Sequence, residues 1–307
     1  MKPKIFIDGS EGTTGLQIRS RLAGRGDIEL LEINKSLRKD EAARIALMSE
    51  ADIVILCLPD KAAEEAALLA KNAGARVIDA STAHRTSPGW VYGFPELSSA
   101  HRKAIAGAAL VANPGCHASG VIALVRPLTE SGIMPRDYPL AITSLTGFSG
   151  GGKAKIAEYE ADDRDIAYDS PRLYALSMQH KHLPEIVTQS GLLKIPAFCP
   201  VIADYYSGMQ TIIPLHNDLL RRSEDIYEVL RSHYSDSRFI HVTNQPPESG
   251  YQESNYAVGT NDMLLTVTGS GEITLLTARF DNLGKGASGA AVQNLNIMLG
   301  LQEDAGL

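Results

Sequence analysis

The sequence predicts an α/β protein in two domains. One has a parallel sheet covered by helices on both faces; the other is α+β around a mixed or antiparallel sheet. Three observations carry that reading. Continuous apolar runs alternate with amphipathic stretches through the first third of the chain, the pattern of strands buried on both faces. A glycine-spaced turn joins the first such run to the first helix, as in Rossmann-type nucleotide-binding units. After about Tyr138 the runs become β-branched, with fewer helices between them. The 307 residues also exceed what one core usually fills.

Taken in order, "KIFIDG" reads as a short buried strand. "TGLQIRSRLAGRG" places Leu16, Ile18 and Leu22 near helical spacing and stops at glycine. "IELLEI" is a second strand, "KDEAARIALMSE" a helix and "ADIVILCLP" a buried strand. "KAAEEAALLAKNAG" is a helix ended by Gly74, and "ARVIDAS" another strand. "AALVANPG" is one more strand, and "CHASGVIALVRPLTESG" is the helix after it. Further on, "LAITSLTGFSGGG", "MQTIIPL", "FIHVTN", "DMLLTVTGSG" and "EITLLTARF" read as strands. The closing "KGASGAAVQNLNIMLGLQ" sets Ala291, Leu295, Met298 and Leu299 on one helical stripe.

Composition narrows the function classes. Apolar residues make up 44% and charged residues 21%, ordinary for a soluble globular chain. Runs such as "IVILCLP" fall far short of the roughly 18 residues of a membrane span. "MKPKIFIDGS" enters a strand with no basic segment ahead of it, so no secretory signal is expected. Three cysteines, Cys57, Cys116 and Cys199, lie far apart, which argues for a reducing, cytoplasmic setting. Net charge is −7 and there is no basic tract, so neither nucleic acid nor membrane is an expected partner.

Gly9, Gly12 and Gly15 in "DGSEGTTG" give G-x-x-G-x-x-G between strand and helix. Glycines there let backbone N–H groups approach a pyrophosphate at a helix N-terminus. The spacing differs from the commoner G-x-G-x-x-G, and a plain turn competes with dinucleotide binding. Glu32 ends the second strand, where a carboxylate would grip a ribose hydroxyl. Lys35, Ser36, Arg38 and Lys39 follow it and suit a 2′-phosphate. The balance favours NADP, with a solvated basic loop as the competing reading.

Cys116, in "NPGCHASG", follows a strand end and opens a helix. Aligned N–H groups at a helix start favour thiolate over thiol. Pro114 fixes the turn and Gly115 frees the backbone. Cys57, inside an apolar strand, reads as core, and Cys199 is undecided. A nucleophilic cysteine needs a base, and "QHKHLPEI" offers His180 and His182 with Glu185 beyond. In an extended segment both rings would share a face. No third ligand accompanies them, so no metal is expected. The other histidines read mostly as surface residues, with His117 pointing away from Cys116.

The glycine loop, "NPGC", "SGGGK", "HKHLPEI" and "DNLGKGASGAAVQNLNIM" occur together in this order. In this the chain resembles the N-acetyl-γ-glutamyl-phosphate reductases, relatives of aspartate-semialdehyde dehydrogenase. The resemblance spans Gly9 to about Leu301. It implies Cys116 as nucleophile and His182 or His180 as acid/base. It places Gly9, Ser10, Gly12, Thr13, Thr14 and Gly15 around the pyrophosphate. Leu58, Pro59 and Ser81 fall on the nicotinamide side, and Gly151, Gly152 and Asn282 in loops near the cofactor. Arg85, Asn113, Lys153 and Glu185 go to the substrate, with Arg172 and Lys181 as further cations. Three departures stand out. His117-Ala118 replace an aromatic and proline, "STAH" precedes Arg85, and "ADYYSG" replaces an arginine before glycine.

The implied domains are 1–114 with 285–307 for NADP, and 115–284 for catalysis and oligomerisation. The implied activity is NADPH-dependent reduction of an acyl phosphate to a semialdehyde and phosphate through a cysteine thioester. A homo-oligomer is expected. The competing readings are a sister acyl-phosphate reductase and a non-catalytic NADP-sensing module.

Overall fold

In the computed structural model, which describes residues 2–307, β1 (Lys4–Asp8) sends Ile5 and Ile7 to one apolar core and Phe6 to another. That follows from the two-residue period of a strand. Helices close both cores. α1 (Thr13–Leu22) brings Ile18 and Leu22 to the first, where the C-terminal helix Gly289–Leu299 adds Ala291, Val292 and Leu295. β2 (Glu29–Leu31) follows α1. α2 (Glu41–Glu50) and α3 (Asp60–Asn72) close the second core with Met48, Ala66 and Ala70. Between and after them run β3 (Ile53–Leu56) and β4 (Arg76–Asp79). β5 (Val91–Tyr92), α4 (Ser99–Gly107) and β6 (Leu110–Ala112) complete the unit. The six strands lie in the order β2-β1-β3-β4-β6-β5, and every pair is parallel. The order reverses between β1 and β3, where such sheets open a crevice for ligands.

The chain divides into two units, Met1–Gly115 with Ala287–Leu307, and Cys116–Gly286. The second begins with α5 (Cys116–Glu130). Then come β7 (Ala141–Gly147), α6 (Gly152–Tyr159), β8 (Arg172–Leu173) and α7 (Leu183–Ser190). β9 (Ala197–Ala203), β10 (Met209–His216), α8 (Ile226–His233) and β11 (Ile240–Thr243) follow. β12 (Met263–Gly269) and β13 (Ile273–Phe280) end it. The seven strands order as β11-β12-β13-β10-β7-β9-β8. Two of the pairings are parallel and four antiparallel, so the sheet is mixed. α5 lies on this sheet. A methyl group on Gly120 would meet the Phe280 ring at 2.9 Å. Pro127 inside α5 cannot donate to the Ala123 carbonyl. The Tyr234 hydroxyl donates to that carbonyl instead, at 2.8 Å.

Several sequence expectations need correction. "LAITSLTGFSGGG" is a strand only to Gly147. Phe148–Gly151 turns into a short 3₁₀ helix, because the backbone there closes onto the carbonyls of Tyr205 and Tyr206. The C-terminal helix is buried all round from Gly289 to Met298, not along one stripe. Its polar residues are paid for by specific partners: Gln293 donates to Glu96 and Glu303, Asn294 to the Gly93 carbonyl, and Asn296 to Ala305. The His180–His182 segment is a turn, not extended; His182 sits at φ −85°, ψ −10° just before α7. Cys199 lies on β9, a strand the sequence left unread.

Candidate active site

In the first unit the glycine loop leaves β1 at the point where the strand order reverses. Gly9 has φ +86°, and a side chain there would strike the Cys57 carbonyl at the end of β3. A methyl on Gly15 would come within 2.9 Å of Ser10 Cα. The Gly12 amide donates to the Gly9 carbonyl at 3.1 Å, and α1 starts at Thr13 with no side-chain cap. The Thr13 hydroxyl is buried and has no hydrogen-bond partner among the described residues. An uncapped helix start with an orphaned hydroxyl fits a phosphate group.

Beside this loop a cleft of about 150 Å³ is lined by Ser10, Arg19, Leu31, Glu32, Lys35 and Arg38. Glu32 is not alone there. Arg19 donates to its carboxylate at 2.5 Å, so its charge is matched before any ribose arrives. Lys35 and Arg38 remain on the same cleft as cations for a phosphate. Ser36 turns inward locally, its amide and hydroxyl both donating to Asn34 Oδ1 at 3.0 and 2.9 Å.

The other first-unit candidates lie around the strand ends. Leu58 is half-buried and Pro59 caps α3. Ser81 donates its hydroxyl to Asp79 Oδ2 at 2.7 Å, and His84 Nδ1 lies 2.6 Å from the same oxygen. The His84 ring stacks on Trp90 at 4.0 Å, so this histidine is no surface residue. Arg85 is buried and donates to the carbonyls of Asn113 and Ala80 at 3.0 and 3.3 Å. Asn113 spends its amide on the Ala287 carbonyl at 2.9 Å. Cys57 is held as a thiol: burial, then Asp79 and Asp8, pushes its pKa up to about 12.

In the second unit Cys116 is the first residue of α5 and half-buried. Gly286 covers it so closely that a methyl group there would lie 2.9 Å from Cys116 Cβ. The two histidines of "HKH" meet edge-on, centroids 4.8 Å apart. The His182 amide donates to His180 Nδ1 at 3.2 Å, so that nitrogen carries no proton. His182 and Glu185 are both buried at the start of α7. Two non-glycine residues, Ala175 and Met178, take positive φ (53° and 57°) just ahead of them. Such local strain persists where the surroundings over-determine the backbone.

The sequence reading missed His117. It was expected to point away; it is buried and stands 5.5 Å from His180 and 5.7 Å from His182 by ring centroids. Its nitrogens engage Ser144 Oγ and Tyr174 Oη, each at 2.7 Å. Burial, with His180 and Lys181, drives its pKa down to about 3, so it is a neutral imidazole. Burial and Cys116 push the Tyr174 phenol up, so it keeps its proton. Tyr174 was also missed, as were Arg19 and Gly286. Only Gly286 left a signal, the small-residue run "GKGASG".

The remaining second-unit candidates stand apart. Asn282 donates to Ser149 Oγ at 3.0 Å and accepts from the Gly208 amide at 2.7 Å. It braces the turn that leads to Gly151 and Gly152. Lys153 and Lys181 are exposed. Arg172 lies on the Tyr168 ring at 3.8 Å and donates to Tyr159 Oη at 3.2 Å. Among the described residues no group of His, Cys, Asp and Glu is arranged to hold a metal, and no helix is long and apolar enough to cross a membrane.

A parallel nucleotide-binding unit, joined to a mixed-sheet unit that opens on a helix-start cysteine, defines an oxidoreductase of semialdehyde dehydrogenase architecture. Residues 5–106 match the family described as "Semialdehyde dehydrogenase, NAD binding domain", and residues 116–282 its dimerisation domain. A solved aspartate semialdehyde dehydrogenase II from Vibrio cholerae shares the fold at TM-score 0.72 and 17% identity, covering 97% of this chain and 98% of that one. Similarity in sequence is closer elsewhere. An N-acetyl-γ-glutamyl-phosphate reductase from Burkholderia lata is 45% identical over 99% of this chain and 98% of its own length. One from Chelativorans is 47% identical over 97% of this chain and 99% of its own. The chain belongs to the N-acetyl-γ-glutamyl-phosphate reductase family.

Proposed function

We propose that this chain reduces N-acetyl-γ-glutamyl phosphate to N-acetylglutamate semialdehyde and phosphate, with NADPH as reductant and Cys116 as nucleophile. The near-full-length match at 45% identity to reductases of that name carries the reading. The Cys116 sulfur attacks the acyl carbon, the carbon–oxygen bond to phosphate breaks, and a thioester forms on the protein. This divides one hard step into two. The glycine loop with Lys35 and Arg38 would hold NADPH, which would supply the hydride that takes the thioester to a hemithioacetal. The hemithioacetal then expels the Cys116 sulfur and leaves the aldehyde. His182 or His180 moves the proton on the reacting oxygen, a contribution typically of roughly 10²–10⁴ in rate. Arg85, Asn113, Lys153 and Glu185 belong to the substrate side.

The domains follow the same reading: residues 1–114 with 285–307 take NADP, and 115–284 carry the chemistry and self-association. The outer face of the seven-stranded sheet supports the latter. Val201, Leu145, Ile212 and Leu275 share that face by register and are only half-buried. A homo-oligomer covers them, in the cytoplasm.

The test is Cys116→Ser. It is expected to lose phosphate-dependent oxidation of the semialdehyde with NADP while still binding NADP. Turnover above a few per cent of the parent enzyme would remove Cys116 from the nucleophile's role.

A further inference from the structure

His117 is buried directly after Cys116, and the hydrogen bonds around it fix more than its position. A neutral imidazole has one N–H and one bare nitrogen. Its two neighbours are both hydroxyls, Ser144 Oγ on Nδ1 and Tyr174 Oη on Nε2, each at 2.7 Å. Each hydroxyl could give or take, so the direction depends on which of them has another outlet for its proton. Ser144 is fully buried, and its hydroxyl has no other side-chain or carbonyl partner among the described residues. Its proton must therefore go to Nδ1, because a buried donor left unmade is costly. Nε2 then carries the imidazole proton and donates to Tyr174 Oη. Tyr174 is only half-buried, so its own proton is the one left over. That hydroxyl is hydrogen-bonded to the residue that directly follows Cys116 at the start of α5.

We propose that His117 is a positioning residue: Ser144 locks it as the Nε2–H tautomer, and it thereby makes Tyr174, held against the residue next to Cys116, a hydrogen-bond donor. The proposal rests on the reading of Cys116 as nucleophile. Ser144 sits on β7, His117 on α5 and Tyr174 just after β8, so the relay ties three elements of the second unit to one proton direction. His180 and Phe198 meet the His117 ring edge-on at 5.5 Å and wall it from water.

The tautomer is read directly from long-range nitrogen–proton NMR of the imidazole-labelled enzyme at pH 7.5. A protonated Nε2 and a bare Nδ1 are expected for His117; the opposite pattern overturns the proposal. Kinetics then separate positioning from packing. His117→Phe removes both bonds and is expected to lower kcat roughly tenfold with the KM for NADPH unchanged. His117→Gln offers an amide donor to Tyr174 and an acceptor to Ser144, and is expected to recover most of the loss. In His117→Phe/Ser144→Ala the stranded buried hydroxyl is gone, so the melting temperature should return toward the parent while kcat stays low. If kcat returns with it, His117 is only a packing residue. Cys116→Ser keeps the two questions apart. An active Cys116→Ser enzyme fails the nucleophile reading, whereas an inactive one beside a normal His117→Phe enzyme fails this proposal alone.

Discussion

His117 makes the stability of this protein depend on pH in a window that can be calculated. Its pKa falls from an ordinary 6.5 to about 3 in the fold, chiefly through burial, with His180 and Lys181 pushing the same way. Below pH 6.5 the unfolded chain takes up a proton that the folded one refuses. The unfolded state therefore binds more protons, and stability rises with pH through that window and is lost as pH falls. Each unit is worth about 1.4 kcal/mol, so moving from pH 6.5 to pH 5 costs about 2 kcal/mol from this one side chain. The assay is urea unfolding followed by circular dichroism at pH 7.5 and pH 5.0, at one protomer concentration. The parent is compared with His117→Gln, which has no group to protonate. Other titrating groups cancel in the difference. The parent should lose about 2 kcal/mol more than the variant across that interval. Equal losses would mean that His117 is not held neutral by burial, and the hydrogen-bond logic built on it would fall.

Two further outcomes follow from the second unit. Gly286→Ala sets a methyl 2.9 Å from Cys116 Cβ, where about 3.5–4.0 Å is comfortable, so the sulfur must shift. A misplacement on that scale costs about 10²-fold in kcat; circular dichroism should stay unchanged, and turnover within twofold of the parent would refute the steric reading. Ile212→Asp puts a charge in the half-buried apolar face of the mixed sheet and should reduce the mass by light scattering to that of one 33.0 kDa chain. An unchanged mass would place the assembly surface elsewhere.

The parallel sheet was legible because its strands are buried on both faces, so "KIFID" and "IVIL" appear as unbroken apolar runs. β5 was not, since two residues carry no period. β9 was hidden by Pro200, which breaks the strand pattern although its carbonyl accepts from the Tyr174 amide. α4 left a readable mark, Ser98 capping the His101 amide at 3.0 Å, that was passed over. The C-terminal helix misled because Gln293, Asn294 and Asn296 look like a solvated face. Long-range partners for their amides, invisible to periodicity, make burial affordable. The same limit hid His117. Its partners lie 27 and 57 residues away, so nothing local distinguishes it from a surface histidine. Glycine loop and "NPGC" were legible for the opposite reason: turns and helix starts are written in consecutive residues.

The nucleotide-binding unit is assembled from two segments far apart in sequence, and this constrains how it comes into being. Ribosomes deliver residues 287–307 only after the whole of 116–286 has followed residues 1–115. Until the final helix emerges, the core around Ile5, Ile18 and Ile53 lacks the wall that Ala291, Val292 and Leu295 provide. The first segment therefore waits with a greasy flank bare while the whole intervening unit is translated, and emergence of that helix is the event that seals it.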